Sequence, residues 1–228
     1  MRFGQLLSNS IHPPWKEHYL DYAKLKSLLR EDGSPDESKP WTEEDESRFC
    51  DEVLNTQLEK VSSFQEATFQ KLEQGAIKVG ERLRDLAKEE ADVTPTKYKE
   101  IEDELEKITN ETNELKKYST LNYTGFLKIV KKHDRKRGNR YKVRPMLQIN
   151  LSKRPLNSEQ AWTPLINKLS MMYFIVRQNL EEQADKGASG SAERASSSTA
   201  EASQEAENGD KYTAYKCEYA TMIFHMHC

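Results

Sequence analysis

The stretch GFLKIVKKHDRKRG, Gly125 to Gly138, holds six Lys or Arg in fourteen positions, with Phe126, Leu127, Ile129 and Val130 set among them. A helix advances about 100° per residue, so Lys128, Lys131, Lys132 and Arg135 share one face. Phe126, Ile129, Val130 and His133 fall on roughly the opposite side, so the helix can bury one flank and present four cations together. Like charges at these spacings repel by a few tenths of a kcal/mol per pair. Compensating the negative end of a helix dipole would need only one or two of them. The pattern points to anion chemistry. A solvated helix end, a surface for nucleic acid or anionic lipid, a coiled-coil scaffold and a pocket for a small polyphosphate all remain open on this stretch alone.

More than a hundred positions upstream, Tyr22 and Lys26 lie one turn apart at the edge of a Leu25, Leu28, Leu29 stripe. A hydroxyl donor and an ammonium then stand side by side. If this segment packs on the basic helix, Tyr22, Lys26 and Lys131 surround a phosphate, with Arg2 adding charge. Clustered point charges suit a multiply phosphorylated small molecule, each contact being a charge-assisted hydrogen bond. Taken by itself, Tyr22 reads as a core residue.

These side chains must be positioned by helices. A first helical unit with Phe3, Leu6 and Leu7 is interrupted at Pro13-Pro14, and a second, bearing the leucine stripe, ends at Asp32-Gly33-Ser34-Pro35. Together they form a hairpin. Thr42 is an N-cap for a long helix reaching about Lys88, with a seam of Leu54, Leu58, Val61, Gln65, Thr68 and Leu72. Thr94-Pro95 opens a second, whose seam of Tyr98, Ile101, Leu105, Ile108, Thr112 and Leu115 alternates spacings of three and four before the helix stops at Lys136 to Gly138. The two should pack antiparallel. Val143 to Leu156 reads as a short connection with one or two helical turns. Ser158 to Leu180 reads as an apolar helix that caps the bundle through Trp162, Leu165, Ile166, Leu169, Met172 and Phe174. The expected fold is therefore all-α.

Composition sets the outer bounds. The 228 residues are 32% charged and 36% hydrophobic with a net charge of −3, so any anion attraction must come from uneven distribution. It is uneven. Residues 128–144 carry nine Lys or Arg against one Asp, whereas residues 181–210 carry eight acids against two cations. From Gln183 to about residue 211 the chain is rich in Ala, Ser and Glu with almost no large apolar groups, the composition of a disordered linker. Residues 212–228 are too short for a domain.

Several functions are disfavoured. No apolar run approaches the roughly 18 residues of a membrane span, and no signal-peptide core follows Met1. Cys50, Cys217 and Cys228 show no metal-ligand spacing and suit a reducing compartment. His225 and His227 near the last of them read as a disordered chain end and not as a metal cluster. Motifs of nucleotide, zinc-protease and serine-hydrolase chemistry are missing, so no enzymatic activity, cofactor or metal is expected. The cationic face lacks the interleaved aromatics of single-strand nucleic-acid readout. Sequons at Asn110, Asn122 and Asn150 carry no meaning without secretion.

The segments MRFGQLL, PPWKEHYLDYAKLKSLLRED and LNYTGFLKIVKKHDR resemble the signature segments of the SPX domain, over about residues 1–182. PPWK, YLDYAKLK and QLEKVSSFQ are most similar to regulatory, non-catalytic subunits of the fungal vacuolar transporter chaperone. The resemblance implies a helical sensor of inositol polyphosphates such as inositol hexakisphosphate, or of inositol pyrophosphates. It implies service to a polyphosphate-synthesising complex at the cytosolic face of the vacuolar membrane, with the other chaperone subunits as partners. By motif, Tyr22, Lys26 and Lys131 would form the phosphate-binding cluster, and Lys128, Lys132 and Arg135 the adjoining cationic surface. Arg2 stands where the family usually has lysine, and Arg135 replaces the last lysine of its KKxDK pattern. Both keep charge while changing donor geometry. Full-length relatives continue into a tunnel-shaped triphosphate domain; Tyr215-Lys216 is similar to its start, and Cys217 to Cys228 departs from it. Residues 212–228 are therefore expected to be a cut-short start of that domain or an aberrant tail.

Overall fold

The computed structural model describes residues 3–31, 40–88, 94–137, 143–154 and 159–192. Among these the chain is helical and has no strand. In order come α1 (Phe3–Ser10), a 3₁₀ turn (Pro13–His18), α2 (Tyr22–Leu28), α3 (Glu43–Asp51), a π-helical segment (Glu52–Gln57), α4 (Leu58–Leu86), α5 (Pro95–Lys136), α6 (Val143–Ser152) and α7 (Glu159–Ala192). By packing, one unit spans Met1–Glu182 and a second spans Gln183–Cys228.

The frame is the pair α4 and α5. At 42 residues, α5 is about 63 Å long by the rise of an α-helix. Tyr118 Oη lies 3.3 Å from the Val61 carbonyl oxygen, a Cβ on Gly75 would touch Ile108, and Arg82 pairs with Glu104. Numbers rise along one helix as they fall along the other, so the two are antiparallel. Leu58, Val61, Leu72, Ile101, Leu105 and Leu115 of the expected seams are buried, while Thr68 and Ile108 sit at its half-exposed margin. α7 lies alongside: Trp162 meets Phe69 edge-on at 5.2 Å, and Asn179 Oδ1 accepts from Tyr98 Oη at 3.1 Å.

Three expectations change. Val143–Ser152 is a ten-residue helix that buries Val143, Leu147 and Leu151, an apolar stripe at spacing four that the short-connection reading passed over. Phe174 is 57% exposed, whereas Val176 takes the buried place, because the stripe through Leu165, Leu169, Met172 and Val176 turns Phe174 outward. The helix also continues past Leu180 to Ala192, into the segment read as linker. Glu, Gln and Ala propagate an existing helix without needing an apolar face. Residues 193–228, with Cys217, His225, His227 and Cys228, lie outside the described residues.

The N-terminal elements lie along the second half of α5. The backbone N–H of Leu20 donates to Asn122 Oδ1 at 2.7 Å, and Tyr118 Oη donates to the His18 carbonyl at 2.8 Å. Asn122 is fully buried and its Nδ2 donates to the Tyr118 carbonyl at 2.8 Å, so its whole amide is committed. A sequon by composition, it is a structural tie in fact. At Gly125 the approach is close: an added Cβ would stand 2.6 Å from Leu20 Cδ2 and 3.4 Å from Phe3 Cε1. The glycine lets the N-terminal segment settle onto α5.

Candidate anion-binding groove

Two helices supply the groove, and each is held by specific contacts. α2 begins at Asp21, whose side chain accepts from the Lys24 N–H at 2.9 Å as an N-cap. The Asp21 N–H in turn donates to Gln57 Oε1 at 2.9 Å, and Gln57 Nε2 donates to Glu52 Oε1 at 2.7 Å. Gln57 is thus buried at the end of the π segment, a local widening of the helix that turns a side chain off the regular face. Lys24 pairs with Glu52 at 2.8 Å across the same junction.

The other end of α2 closes in a Schellman cap. The N–H of Glu31 donates to the Lys26 carbonyl at 3.1 Å and that of Arg30 to Ser27 at 2.7 Å, with Arg30 in the left-handed region at φ 54°. Glycine usually fills this position, and a side-chain-bearing residue costs roughly 1–2 kcal/mol there. Arg30 has compensating contacts: its guanidinium meets Asp45 Oδ2 at 2.6 Å and lies 5.5 Å from the Trp41 ring. Lys136 Nζ donates to both Leu29 and Arg30 carbonyls, each at 2.9 Å. The end of the basic run is therefore more than a stop signal. Lys136 ties α5 to α2, and Arg137 stacks 3.4 Å over Trp41.

The buried flank of α5 is anchored as the sequence predicts. Phe126, Ile129, Val130 and His133 are inaccessible. His133 lies parallel to Phe49 at 4.8 Å, with Nε2 2.9 Å from Glu46 Oε2 and Nδ1 3.0 Å from Asp134 Oδ1. Glu46 also accepts from Trp41 Nε1 at 2.9 Å and from Cys50 Sγ at 3.4 Å. Burial, and then the Glu46 carboxylate, push the Cys50 thiol up to about 12. It is an inert core thiol at neutral pH.

Between α1, α2 and α5 lies an open groove of about 1070 Å³. Its lining includes Tyr22, Lys26, Lys128, Lys131, Lys132 and Arg135, and apolar support comes from Phe3, Leu7 and Ile11. Six of the seven residues singled out from sequence thus meet in one place. Arg2 lies outside the described residues. Tyr22 is both core and groove: 93% of it is covered in the fold, being 7% exposed, and its ring meets Phe3 edge-on at 5.0 Å. Burial, then the Glu31 charge, hold its phenol above the ordinary value, so it remains a donor. Lys128 Nζ sits over the Phe3 ring, 5.5 Å from its centre. Lys131 and Arg135 project to solvent. Sequence reading did not include Glu31, which pairs with Lys132. An acid at the end of a helix gives no signal until the left-handed turn at Arg30 carries it over the groove.

Such an arrangement can hold several phosphates at once. One hydroxyl and five cations on two helices, with part of the surface shielded from water, favour clustered negative charge over a single carboxylate.

No protein-family model matches the chain. It is 37% identical over 198 residues to vacuolar transporter chaperone complex subunit 2 of Saccharomyces cerevisiae, covering 84% of this chain and 23% of that protein. It is 34% identical over 187 residues to subunit 4 of the same complex from Schizosaccharomyces pombe, covering 78% and 24% respectively. SPX domain-containing protein 1 of Arabidopsis thaliana is 32% identical over 162 residues, 65% of this chain and 60% of that one. The chain therefore spans about a quarter of the length of the chaperone subunits it matches. In structure it resembles the SPX domain of Chaetomium thermophilum glycerophosphodiester phosphodiesterase 1, solved in complex with inositol hexakisphosphate. The TM-score is 0.58 over 77% of this chain and 99% of that one, a likeness of fold at 21% identity. With the long antiparallel pair, the N-terminal hairpin and these relatives taken together, this chain carries an SPX domain and is similar in sequence to the subunits of the vacuolar transporter chaperone.

Proposed function

We propose that the groove binds inositol polyphosphates, inositol hexakisphosphate or its pyrophosphate derivatives, through Tyr22, Lys26, Lys128, Lys131, Lys132 and Arg135, with Arg2 as a further contact. The observation that carries this reading is the convergence of these side chains from α2 and α5 on one open groove. The chain acts as a binding module, not a catalyst. Bound ligand reports phosphate status to a vacuolar transporter chaperone complex engaged in polyphosphate synthesis, at the cytosolic face of the vacuolar membrane. Similarity to subunits 2 and 4 of that complex supports the assignment.

The test is calorimetric titration of the full chain with inositol hexakisphosphate, beside a Lys131→Ala/Lys132→Ala variant. Each lost charge-assisted contact is worth about 1.5–3 kcal/mol, so affinity should fall by at least about a hundredfold with the melting temperature held. Unchanged affinity in a folded double variant would overturn the assignment.

A further inference from the structure

Two carboxylates line the groove, Asp21 and Glu31. Asp21 is committed to its own helix as the N-cap of α2. Glu31 reaches across to α5 and pairs with Lys132. Among the described residues this is the only ion pair made by a groove cation; Lys26, Lys128, Lys131 and Arg135 make none. One of the positions best placed for a phosphate is therefore already filled by a carboxylate of the same chain.

The placement is built. The Glu31 N–H is bound to the Lys26 carbonyl in the Schellman cap, and the preceding carbonyls of Leu29 and Arg30 are both held by Lys136. The backbone beneath Glu31 is thereby fixed by bonds that involve none of its side-chain atoms. Lys132 and Glu31 are 27% and 16% exposed, so water screens their attraction only in part.

We propose that Glu31 is an internal counter-ion, occupying Lys132 until a polyanion displaces it. This rests on the polyphosphate reading of the groove. A phosphate arriving at Lys132 cannot share the ammonium with Glu31 at low cost, because the two anions repel at contact distance. The carboxylate swings out to water by side-chain rotation, the Schellman cap stays, and Lys132 transfers its hydrogen bonds to the ligand. Until then Glu31 neutralises one cation of an otherwise strongly positive face. It sets the affinity of the groove below what its cations alone would give.

The full chain is titrated with inositol hexakisphosphate as four variants: unaltered, Glu31→Gln, Lys132→Met, and the double. Glu31→Gln should tighten binding about tenfold, the worth of one charge-assisted contact no longer opposed. In the Lys132→Met background the same change should give a clearly smaller gain. Glu31→Ala serves as a second variant, and a thermal melt confirms that each remains folded. Unchanged or weaker binding by both folded Glu31 variants overturns the proposal, as does an equal gain with and without Lys132. Failure of the unaltered chain to bind overturns the polyphosphate reading itself. Binding by the unaltered chain without a gain at Glu31 removes only the counter-ion.

Discussion

The two ends of the α4/α5 pair use charge differently: both hold ion pairs, but only one also gathers cations without them. At the end where α5 begins, cations meet anions: Arg82 pairs with Glu104 and lies 3.8 Å from Glu100, and Glu102 is held between Lys99 at 2.6 Å and Arg177 at 2.7 Å. These contacts depress the Glu102 carboxyl, first through Lys99. At the end where α5 stops, Lys131 and Arg135 stand without ion pairs among the described residues, beside Lys128 on an aromatic ring. A scaffold with no ligand would gain from mixing its charges at both ends, as natural surfaces do. The contrast supports the proposed anion groove over a merely solvated terminus, a reading the composition of the run left open.

Long-range polar ties serve both ends. Leu20 to Asn122, Tyr118 to His18 and Lys136 to Leu29 join residues about a hundred positions apart and hold the groove in shape. At the opposite end Tyr98 is tied to Asn179, and the buried Glu102 is held by Lys99 and Arg177, around an apolar seam.

This contrast can be broken or sharpened by substitution. The largest effect belongs to the Lys131→Ala/Lys132→Ala variant, which should leave the fold intact. Next, Asn122→Leu leaves the buried Leu20 N–H without an acceptor and should cost about 1–3 kcal/mol of stability, read by urea denaturation. Because the tie sets one wall of the groove, polyphosphate affinity should weaken as well. A smaller effect is expected at the start of α3, where Thr42 and Asp45 form a capping box. Asp45 is held below the usual carboxylate range first by the Thr42 backbone N–H and further by Arg30. Its contribution is present above about pH 4, the ordinary value, and is lost as pH falls through the depressed folded value. Melts at pH 6 and pH 3 should therefore show a shallower acid loss in Asp45→Asn than in the unaltered chain. The smallest change is Arg82→Ala, an exposed pair worth a few tenths of a kcal/mol. It should leave polyphosphate affinity untouched, and a fall in affinity would mean that the two ends are not separate.

Much of the fold was legible because helical spacing is a local property. The seams of α4 and α5, the stop near Arg137 and the outward face of Lys128, Lys131 and Arg135 follow from where apolar residues recur. The groove was legible only in half: Tyr22 and Lys26 carry no local sign that they face α5, and the family resemblance supplied the pairing. Glu31, Gln57 and Asn122 were not legible at all. Each works through a contact 36 to 102 residues away or through a backbone turn, and neither leaves a period in the sequence. Phe174 shows the converse failure: two positions from both Met172 and Val176, it falls on the face opposite the stripe, yet a large apolar residue reads as core until the helix phase is known.

Lys136 carries a mechanical consequence. Its ammonium fastens the last turn of α5 to the Leu29 and Arg30 carbonyls just past the end of α2, and these two helices are walls of the groove. Leu20 is tied to Asn122 at the other end of α2, so this wall is fastened to α5 at both ends and does not open like the covers of a book. The spacing of these two walls is thereby set along the length of the groove by the chain's own hydrogen bonds.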